Sequence, residues 1–565
     1  MTRHQLSGVV MTHPTRRRAA ERMARAAPPG ALRVVMDPDP TGTPSVLRTA
    51  LAAWEAVEDG ATHQLVVQDD MLLSESFFER VRLAVAAMPD AALALFALWD
   101  SRNGAAVRFG AMAGARWVGA VNEYFPCVAI VLPRGVAEGF VRYGRERLGG
   151  WPDDILMNRY LREHGVPRYV AVPNLAEHQD GGSISGNAFR GPRRSVCFLP
   201  DDRPGEEGDR LAGLTVLPFF KYGIARCAVR VAGPGPERWL HLDCEQHLHG
   251  LGLPGSLLTP PGPEADRPDV RGTWLTALAM GHEAARLGPD ADGGGPAVRP
   301  EVYAEAMATI GTGGISNTST EEQLTERREA LAAVAARALA AGREAADHPA
   351  PRRPRRRGGP TVRGGLTVHG GATPLGEHLV RRLADLAGAE APDAVLDLTG
   401  LRAGAPAREL TIRLPDDPRP YTLAVGEVYG PGCSRDTLIG RMVWDALRSR
   451  PVTVQGSPDT EVHPVYADDL ADAVLAVLRT RPAAHTLTVA PEKPTTLGEL
   501  AHAVHAAVRP VPVRTAPPAA ERPSPRPACP DGPRPPAWAP TTDHAKGLHA
   551  FAQWLAYEGT LLTGI

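Results

Sequence analysis

Apolar and polar positions along the first 200 residues follow two rhythms, short continuous apolar runs and longer stretches with helical spacing. Leu6 to Met11 is an apolar run that stops at His13-Pro14, and a helical stretch follows around Arg16 to Ala27. Leu32 to Met36 predicts a second strand closing on Asp37. Val46 to Val57 predicts a helix, with Leu47, Leu51, Trp54 and Val57 on helical spacing. His63 to Asp70 predicts a third strand that runs into acids, Ala92 to Trp99 and Cys127 to Leu132 two buried strands, and Asp154 to His164 a helix. Repeated strand–helix units of this kind predict an α/β sheet with parallel neighbours.

From about residue 200 the rhythm loosens. Leu214 to Phe220 and Cys227 to Val231 are strand candidates among glycine- and proline-rich loops. Ser319-x-x-Glu322 then reads as a capping box, opening a long helix with Leu324, Leu331 and Val334 as its apolar stripe up to about Ala346. Pro349 to Gly365, with Arg352, Arg353, Arg355, Arg356 and Arg357 among prolines and glycines, reads as a solvated linker rather than a patch for nucleic acid or an acidic partner. A further unit starts at Gly365. Pro510 to Pro540 is proline-dense and expected to be extended, and Asp543 to Leu555 is amphipathic. The expected division is 1–200, 201–347 (mixed, then helical), a linker at 348–364, 365–508, a proline-rich segment at 509–542 and a terminal helix at 543–565.

Composition narrows the class. A chain of 565 residues, 43% hydrophobic, predicts three or four folded units rather than disorder. The formal net charge of −2 and 5% aromatic content argue against a general nucleic-acid binder, which needs a basic face. Six scattered cysteines without a C-x-x-C pair fit reduced thiols. No apolar run reaches the roughly 18 residues of a membrane span and Met1 to Arg18 has no signal-peptide core, so a cytoplasmic protein without membrane partners is expected. Only Lys221, Lys493 and Lys546 are lysines, which restricts any lysine-dependent chemistry to three positions.

The chemistry concentrates at Gln68-Asp69-Asp70, where an apolar strand ends. Ligands of open α/β sheets sit at the carboxyl ends of strands, and two neighbouring carboxylates there suit a hard cation that neutralises a diphosphate. An acidic turn opening a helix is the plainer alternative. Around this motif lie Thr12-His13-Pro14-Thr15-Arg16, Asp37, a helix carrying Trp54, Gly60 to Asp70, Trp151-Pro-Asp-Asp154 and Pro173-Asn-Leu-Ala-Glu-His178, with Ser183, Ser185 and Asn187 beyond. In that order they resemble the GT-A-type nucleotide-sugar glycosyltransferases, over roughly residues 5 to 200, and imply a GT-A-like Rossmann-type sheet there. The resemblance implies that Asp70, with Asp69 and His178, holds Mn²⁺ or Mg²⁺, and that Asp37 contacts the nucleotide base or ribose. It further implies that Asp153 and Asp154 lie on the acceptor side, with Asp154 removing the proton of the attacking hydroxyl. Gln68 departs from the acid that many members carry. Arg16 to Arg18 suit a diphosphate, or equally a solvated helix face.

His241-Leu-Asp243-Cys244-Glu-Gln-His247-Leu-His249 packs possible ligands together. Read as one strand, it puts His241, Asp243, His247 and His249 on one face, for a metal or, more plainly, for an interdomain contact.

Leu366 to Val380 reads as a strand, a glycine turn and an amphipathic helix. With Ala394 to Leu398, Val425-Gly-Glu-Val-Tyr-Gly-Pro-Gly432, Val462 to Ala473 and Thr486 to Ala501, it resembles the extended short-chain dehydrogenase/reductase family, the NAD-dependent nucleotide-sugar epimerases and dehydratases. Gly370 and Gly376 keep the outer positions of the cofactor-binding glycine turn, while Thr373 takes the middle one. No acid-ended strand for the adenine ribose is evident after Leu386, and no lysine follows a tyrosine by four positions. Only about 25 residues separate Thr399 from Val425, where the family carries its catalytic segment. A shortened Rossmann-like domain is expected, without hydride chemistry and without NAD(P).

The combined expectation is a metal-dependent glycosyltransferase that takes a nucleotide-sugar donor and an unidentified acceptor, fused to an inactive epimerase-like domain. A homodimer is expected because epimerase-like domains pair through helices. The alternatives are an NAD-dependent nucleotide-sugar epimerase or dehydratase and a non-catalytic binding or scaffold protein.

Overall fold

The computed structural model describes residues 4–42, 45–147, 152–179, 191–231, 237, 239–287, 297–347, 361–362, 366–371, 373–387, 393–401, 409–517 and 532–559. The chain is α/β and divides into two compact units, Met1–Ala350 and Pro351–Ile565.

The first unit opens with β1 (Leu6–Thr12), α1 (Arg17–Ala26), β2 (Arg33–Met36), α2 (Val46–Glu55), β3 (His63–Gln68), β4 (Met71–Leu73), α3 (Phe77–Ala87) and β5 (Ala92–Ala94). There follow α4 (Arg102–Met112), β6 (Trp117–Gly119), β7 (Ala129–Pro133), α5 (Arg134–Arg145), α6 (Asp153–Glu163), β8 (Arg168–Ala171) and β9 (Ala176–His178). The unit continues with β10 (Arg210–Leu211), β11 (Val216–Lys221), β12 (Ile224–Arg230), β13 (Trp239–Asp243), α7 (Cys244–Gly250), α8 (Gly255–Leu258), α9 (Pro268–Leu287), α10 (Pro300–Ile315) and α11 (Glu321–Asp347).

Eight strands form one mixed sheet in the order β10-β6-β8-β5-β7-β3-β1-β2. Its β3-β1-β2 edge is parallel, as the strand–helix rhythm implies, whereas β7 runs antiparallel to β3 and β5. Apolar runs become central strands because both faces are covered. Val10, Leu65, Val67, Ala129 and Val131 face α1 and α3, while Val9, Met11, Val66, Ile130 and Leu132 face the opposite core, following the period of two.

That second core also contains residues of α2, α4, α5 and α6, then Trp274 and Leu278 of α9, Ile310 of α10 and Leu331 of α11. Residues 201–347 thus share a core with the sheet. Arg108 of α4, wholly buried, donates to Ala306 O at 3.0 Å and to Thr309 Oγ1 at 3.0 Å, tying α4 to α10. Helices α9 and α11 cross in backbone contact: a Cβ on Gly281 would lie 2.2 Å from Leu339 O, and one on Gly342 would lie 2.2 Å from Leu278 O.

Three local expectations are corrected. The capping box of α11 is one residue later than Ser319/Glu322: Thr320 N donates to Gln323 Oε1 at 2.9 Å and Gln323 N to Thr320 Oγ1 at 3.3 Å. Ala92 to Trp99 is a strand only to Ala94, beyond which it stays extended, with Trp99 N bonding Arg194 O at 3.1 Å. The histidine-rich stretch is a strand followed by a helix. Asp243 caps α7, accepting from Glu245 N at 2.8 Å, so His241 packs against Arg102 while His247 lies 3.5 Å from Glu283. A helix N-cap interrupts the period of two on which a shared face depended.

The second unit contains β14 (Thr361–Val362), β15 (Leu366–His369), α12 (Pro374–Ala387), β16 (Ala394–Asp397), β17 (Glu409–Leu414), β18 (Asp417–Val425), β19 (Glu427–Tyr429), α13 (Leu438–Leu447) and β20 (Val452–Gln455). It ends with β21 (Glu461–Val462), β22 (Pro464–Tyr466), α14 (Ala467–Thr480), β23 (Thr486–Val489), β24 (Thr495–Thr496), α15 (Leu497–Ala507), β25 (Val513–Ala516) and α16 (His544–Trp554). Its main sheet has the order β14-β15-β16-β17-β18-β23, with the β17–β18 hairpin filling the short stretch between Thr399 and Val425. Its core is its own, built on Leu396, Ile412, Leu423, Leu470 and Val474. At its described ends the proline-rich segment is docked: Val513–Ala516 pairs as an extended strand with β20, and Trp538 Nε1 donates to Asp469 O at 2.9 Å. Most of the 348–364 linker lies outside the described residues. Among the described residues no helix is long and apolar enough to cross a membrane.

Candidate nucleotide-diphosphate site

The carboxyl ends of β1, β2 and β3 lie side by side, because Thr12 pairs with Met36 and Met11 with Gln68. One residue past those ends stand Asp37 and Asp69. The Thr12 hydroxyl donates to Asp69 Oδ2, and Arg16, at the start of the first helix, forks across both acids. Its Nη1 lies 3.2 Å from Asp69 Oδ1 and 2.9 Å from Asp70 Oδ2. His178 reaches the same place through the antiparallel β4–β9 ladder, in which Met71 faces His178, and its Nε2 lies 3.4 Å from Asp70 Oδ2.

The two acids differ. Burial pushes the Asp69 carboxyl up, and the neighbouring Asp70 charge adds to this against the Thr12 hydrogen bond. For Asp70 burial also pushes up, but the hydrogen bond and charge of His178 and the charge of Arg16 together outweigh it and hold the group below the usual carboxylate range. The other oxygen of Asp70, Oδ1, is buried and has no hydrogen-bond partner among the described residues.

Asp37 is buried and taken up by Arg48 of α2, whose Nε and Nη2 each lie 2.8 Å from one of its oxygens, and it also accepts from Asp39 N at 3.1 Å. The Arg48 hydrogen bond, opposed by burial, holds the carboxyl low. This bidentate pair fixes the β2–α2 loop at the edge of the crevice.

Asp153 and Asp154 open α6. Asp153 is buried; burial, then the Asp154 charge, push its carboxyl up to about 7. Asp154 Oδ1 accepts from Ile155 N at 2.7 Å, and Asp154 O accepts from Phe125 N at 3.1 Å. Burial, then the charges of both acids, raise the Cys127 thiol, next in sequence to Val128, whose carbonyl accepts from Gln68 N at 2.8 Å. The acidic pair therefore borders the strand end from which Asp69 and Asp70 follow. Ser183, Ser185 and Asn187 lie outside the described residues.

Two neighbours were given no role in the sequence reading, although Glu177 lies within the Pro173 to His178 motif. Glu177 accepts from Ser195 N at 2.9 Å and Ser195 Oγ at 2.7 Å, and Arg194 Nη1 donates to His178 O at 3.1 Å. The only sequence signal for Arg194 was a dibasic pair after a glycine-rich stretch.

For a divalent cation the protein offers the open Oδ1 of Asp70 and the His178 imidazole. Asp69 is turned to Thr12 and Arg16. Among the described residues no group of three or more His, Cys, Asp or Glu side chains is placed to hold a metal ion. Such a set suits Mg²⁺ or Mn²⁺ only together with phosphate oxygens and water, the common situation for these ions on nucleotides.

In the second unit Gly370 has φ +80° and ends β15 in a turn that leads to α12. Thr373 Oγ1 donates to Gly370 O at 2.9 Å and accepts from Gly376 N at 3.1 Å, so the chain itself takes an N–H that a phosphate would use. A Cβ on Gly432 would lie 2.6 Å from Pro374 O and from Leu375 Cα, so the turn after β19 abuts the start of α12. After α12 the next strand, β16, ends in an acid, Asp397. The strand is the parallel neighbour of β15, and Asp397 has His369 opposite and accepts from Thr399 N at 2.9 Å.

No protein-family model and no curated protein matches the chain. Solved structures do. An epimerase from Methanothermobacter thermautotrophicus matches at 15% identity over 25% of this chain and 44% of its own, with a TM-score of 0.23. UDP-glucose 4-epimerase from Thermotoga maritima, solved with UDP-glucose, matches at 21% identity over 25% of this chain and 46% of its own, with a TM-score of 0.21. The dTDP-glucose 4,6-dehydratase of Bacillus anthracis, solved with NAD, matches at 17% identity over 24% and 44%, also at 0.21. The chain spans less than half the length of these structures, and the likeness concerns fold over about a quarter of the chain.

Proposed function

We propose that the first unit is a metal-dependent glycosyltransferase acting on a nucleotide-sugar. The observation that carries this reading is the buried, open Asp70 Oδ1 beside His178 and Arg16, at the carboxyl ends of parallel strands. In this reading Asp70 and His178 hold Mn²⁺ or Mg²⁺, and the ion when bound offsets the charge of the departing diphosphate. Arg16 adds a fixed positive charge at the same end, and Asp37 with Arg48 shapes the edge where the nucleoside lies. The sugar's anomeric bond to the diphosphate breaks and the acceptor oxygen bonds to that carbon. Asp154 takes the acceptor's proton, a role supported by its place at the start of α6, where Asp154 O accepts from Phe125 N beside the strand end that carries Asp69 and Asp70.

The test is hydrolysis of a panel of nucleotide-sugars with Mn²⁺, followed by release of the nucleoside diphosphate. Asp70→Asn should lower the rate at least about 100-fold, the scale seen when a charge-stabilising group is lost. An unchanged rate in that variant overturns the proposal.

Asp397 favours a second reading, a nucleotide-binding epimerase or dehydratase unit. It stands at the end of the strand beside the glycine turn, where the ribose of a dinucleotide is held in Rossmann folds. NAD binding to the full chain that is lost in Asp397→Ala would favour it over an inactive domain.

A further inference from the structure

Arg193 takes part in none of the contacts described so far. Its Nε is buried and has no hydrogen-bond acceptor among the described residues. The backbone that carries it is held on its C-terminal side. Arg194 donates to His178 O at 3.1 Å and from Nε to Glu321 Oε1 at 3.0 Å, while Ser195 is bonded twice to Glu177. Its charge is felt by Asp153, which it pulls down against burial. Arg193 is thus the chain neighbour of the residue bonded to His178 O, and its charge reaches Asp153. A buried guanidinium N–H without an acceptor carries a desolvation penalty that an incoming anionic oxygen would relieve.

We propose that Arg193 is a second cationic contact of this site, donating from its guanidinium to the phosphate oxygens of a nucleoside diphosphate that Arg16 meets at the strand ends. This rests on the nucleotide-sugar reading above and adds to it a residue that grips the leaving group. A planar guanidinium fork suits phosphate, which accepts two parallel N–H bonds, better than it suits a neutral sugar hydroxyl.

The experiment is calorimetric titration of the full chain with UDP, GDP, ADP, CDP and dTDP in Mn²⁺, and with the nucleoside of whichever binds. Wild type, Arg193→Ala, Arg193→Gln and Arg193→Lys are compared, each with its melting temperature. The expected result is a diphosphate affinity about tenfold or more weaker in the alanine and glutamine variants, partly recovered in the lysine variant, with nucleoside affinity unchanged. Equal diphosphate affinity in all four proteins overturns the role of Arg193 alone. Equal weakening of nucleoside and diphosphate makes Arg193 a structural residue and overturns it too. If the alanine variant melts early, the lysine and glutamine variants carry the comparison. Absence of binding in wild type overturns the nucleotide-sugar reading itself.

Discussion

Asp69 and Asp70 share one arginine and are both pushed up by burial, yet they end on opposite sides of the usual range because only Asp70 has an imidazole, at 3.4 Å, to offset it. Burial also governs Asp153, and there it has a measurable consequence. Asp153 holds its proton to about pH 7 in the folded chain, whereas an unfolded aspartate releases it near 3.9. Between those values the folded state binds a proton that the unfolded state has lost. Stability therefore falls as pH rises from about 4 to about 7 and then levels off. Asparagine at this position cannot titrate. The melting temperature of Asp153→Asn, relative to wild type, should improve between pH 5 and pH 8; parallel curves would refute the assignment. At this scale the sequence showed which residues carry chemistry but not their states. Asp37 was legible as an acid at a strand end, and nothing in its spacing revealed that Arg48 had claimed both oxygens. Asp397 stayed unseen because its own strand read as a later one, not as the immediate neighbour of the glycine-turn strand.

Elements with local causes were readable. The apolar runs of β1 and β3 and the spacing of Leu47, Leu51 and Trp54 in α2 announce themselves within ten residues. Two adjacent hydroxyl residues, Ser319 and Thr320, are each followed three positions later by a Glu or Gln, so the pattern alone left the cap of α11 ambiguous by one residue. The β4–β9 ladder was not readable, since it joins residues about a hundred positions apart, and it is what delivers His178 to Asp70. The segment after β9 is held by another non-local device. Arg80 lies 2.8 Å from Glu207 and 3.0 Å from Asp202, and Arg116 (2.9 Å) and Trp117 (2.8 Å) also bond Glu207, all of them buried. Removing the Glu207 carboxylate leaves two buried arginines with Asp202 as the one carboxylate between them among the described residues, and leaves the Trp117 N–H without its acceptor. Glu207→Ala should cost about 3–5 kcal/mol in urea denaturation. Glu55→Ala breaks the exposed Glu55–Arg145 pair (2.6 Å) and should cost no more than about 1 kcal/mol. Similar losses in the two variants would contradict this account.

For the molecule as a whole, the separation of cores predicts behaviour on dissection. Residues 1–350 contain both cores that cover the mixed sheet, and the second unit has its own. Produced alone, residues 1–350 should be monodisperse in size-exclusion chromatography, with ordered near-UV circular dichroism, and should keep whatever nucleoside-diphosphate affinity the full chain has. Residues 1–200 should aggregate, because Val196 and Cys197 lose Thr309 and Val302 of α10 and the core they share with α9, α10 and α11 is cut open. A well-folded 1–200 fragment would show that the helices are an accessory layer.

The tie between α4 and α10, where Arg108 reaches Ala306 and Thr309 nearly two hundred positions downstream, also bears on how the chain matures on the ribosome. The parallel strands emerge early, but the helices that seal one of their faces are translated last in this unit. At elongation speeds of about 5–20 residues per second, that face waits for roughly ten seconds or more with its apolar side chains open to solvent. A nascent chain of this design depends on holdase chaperones during that interval, more than its compact finished form would suggest.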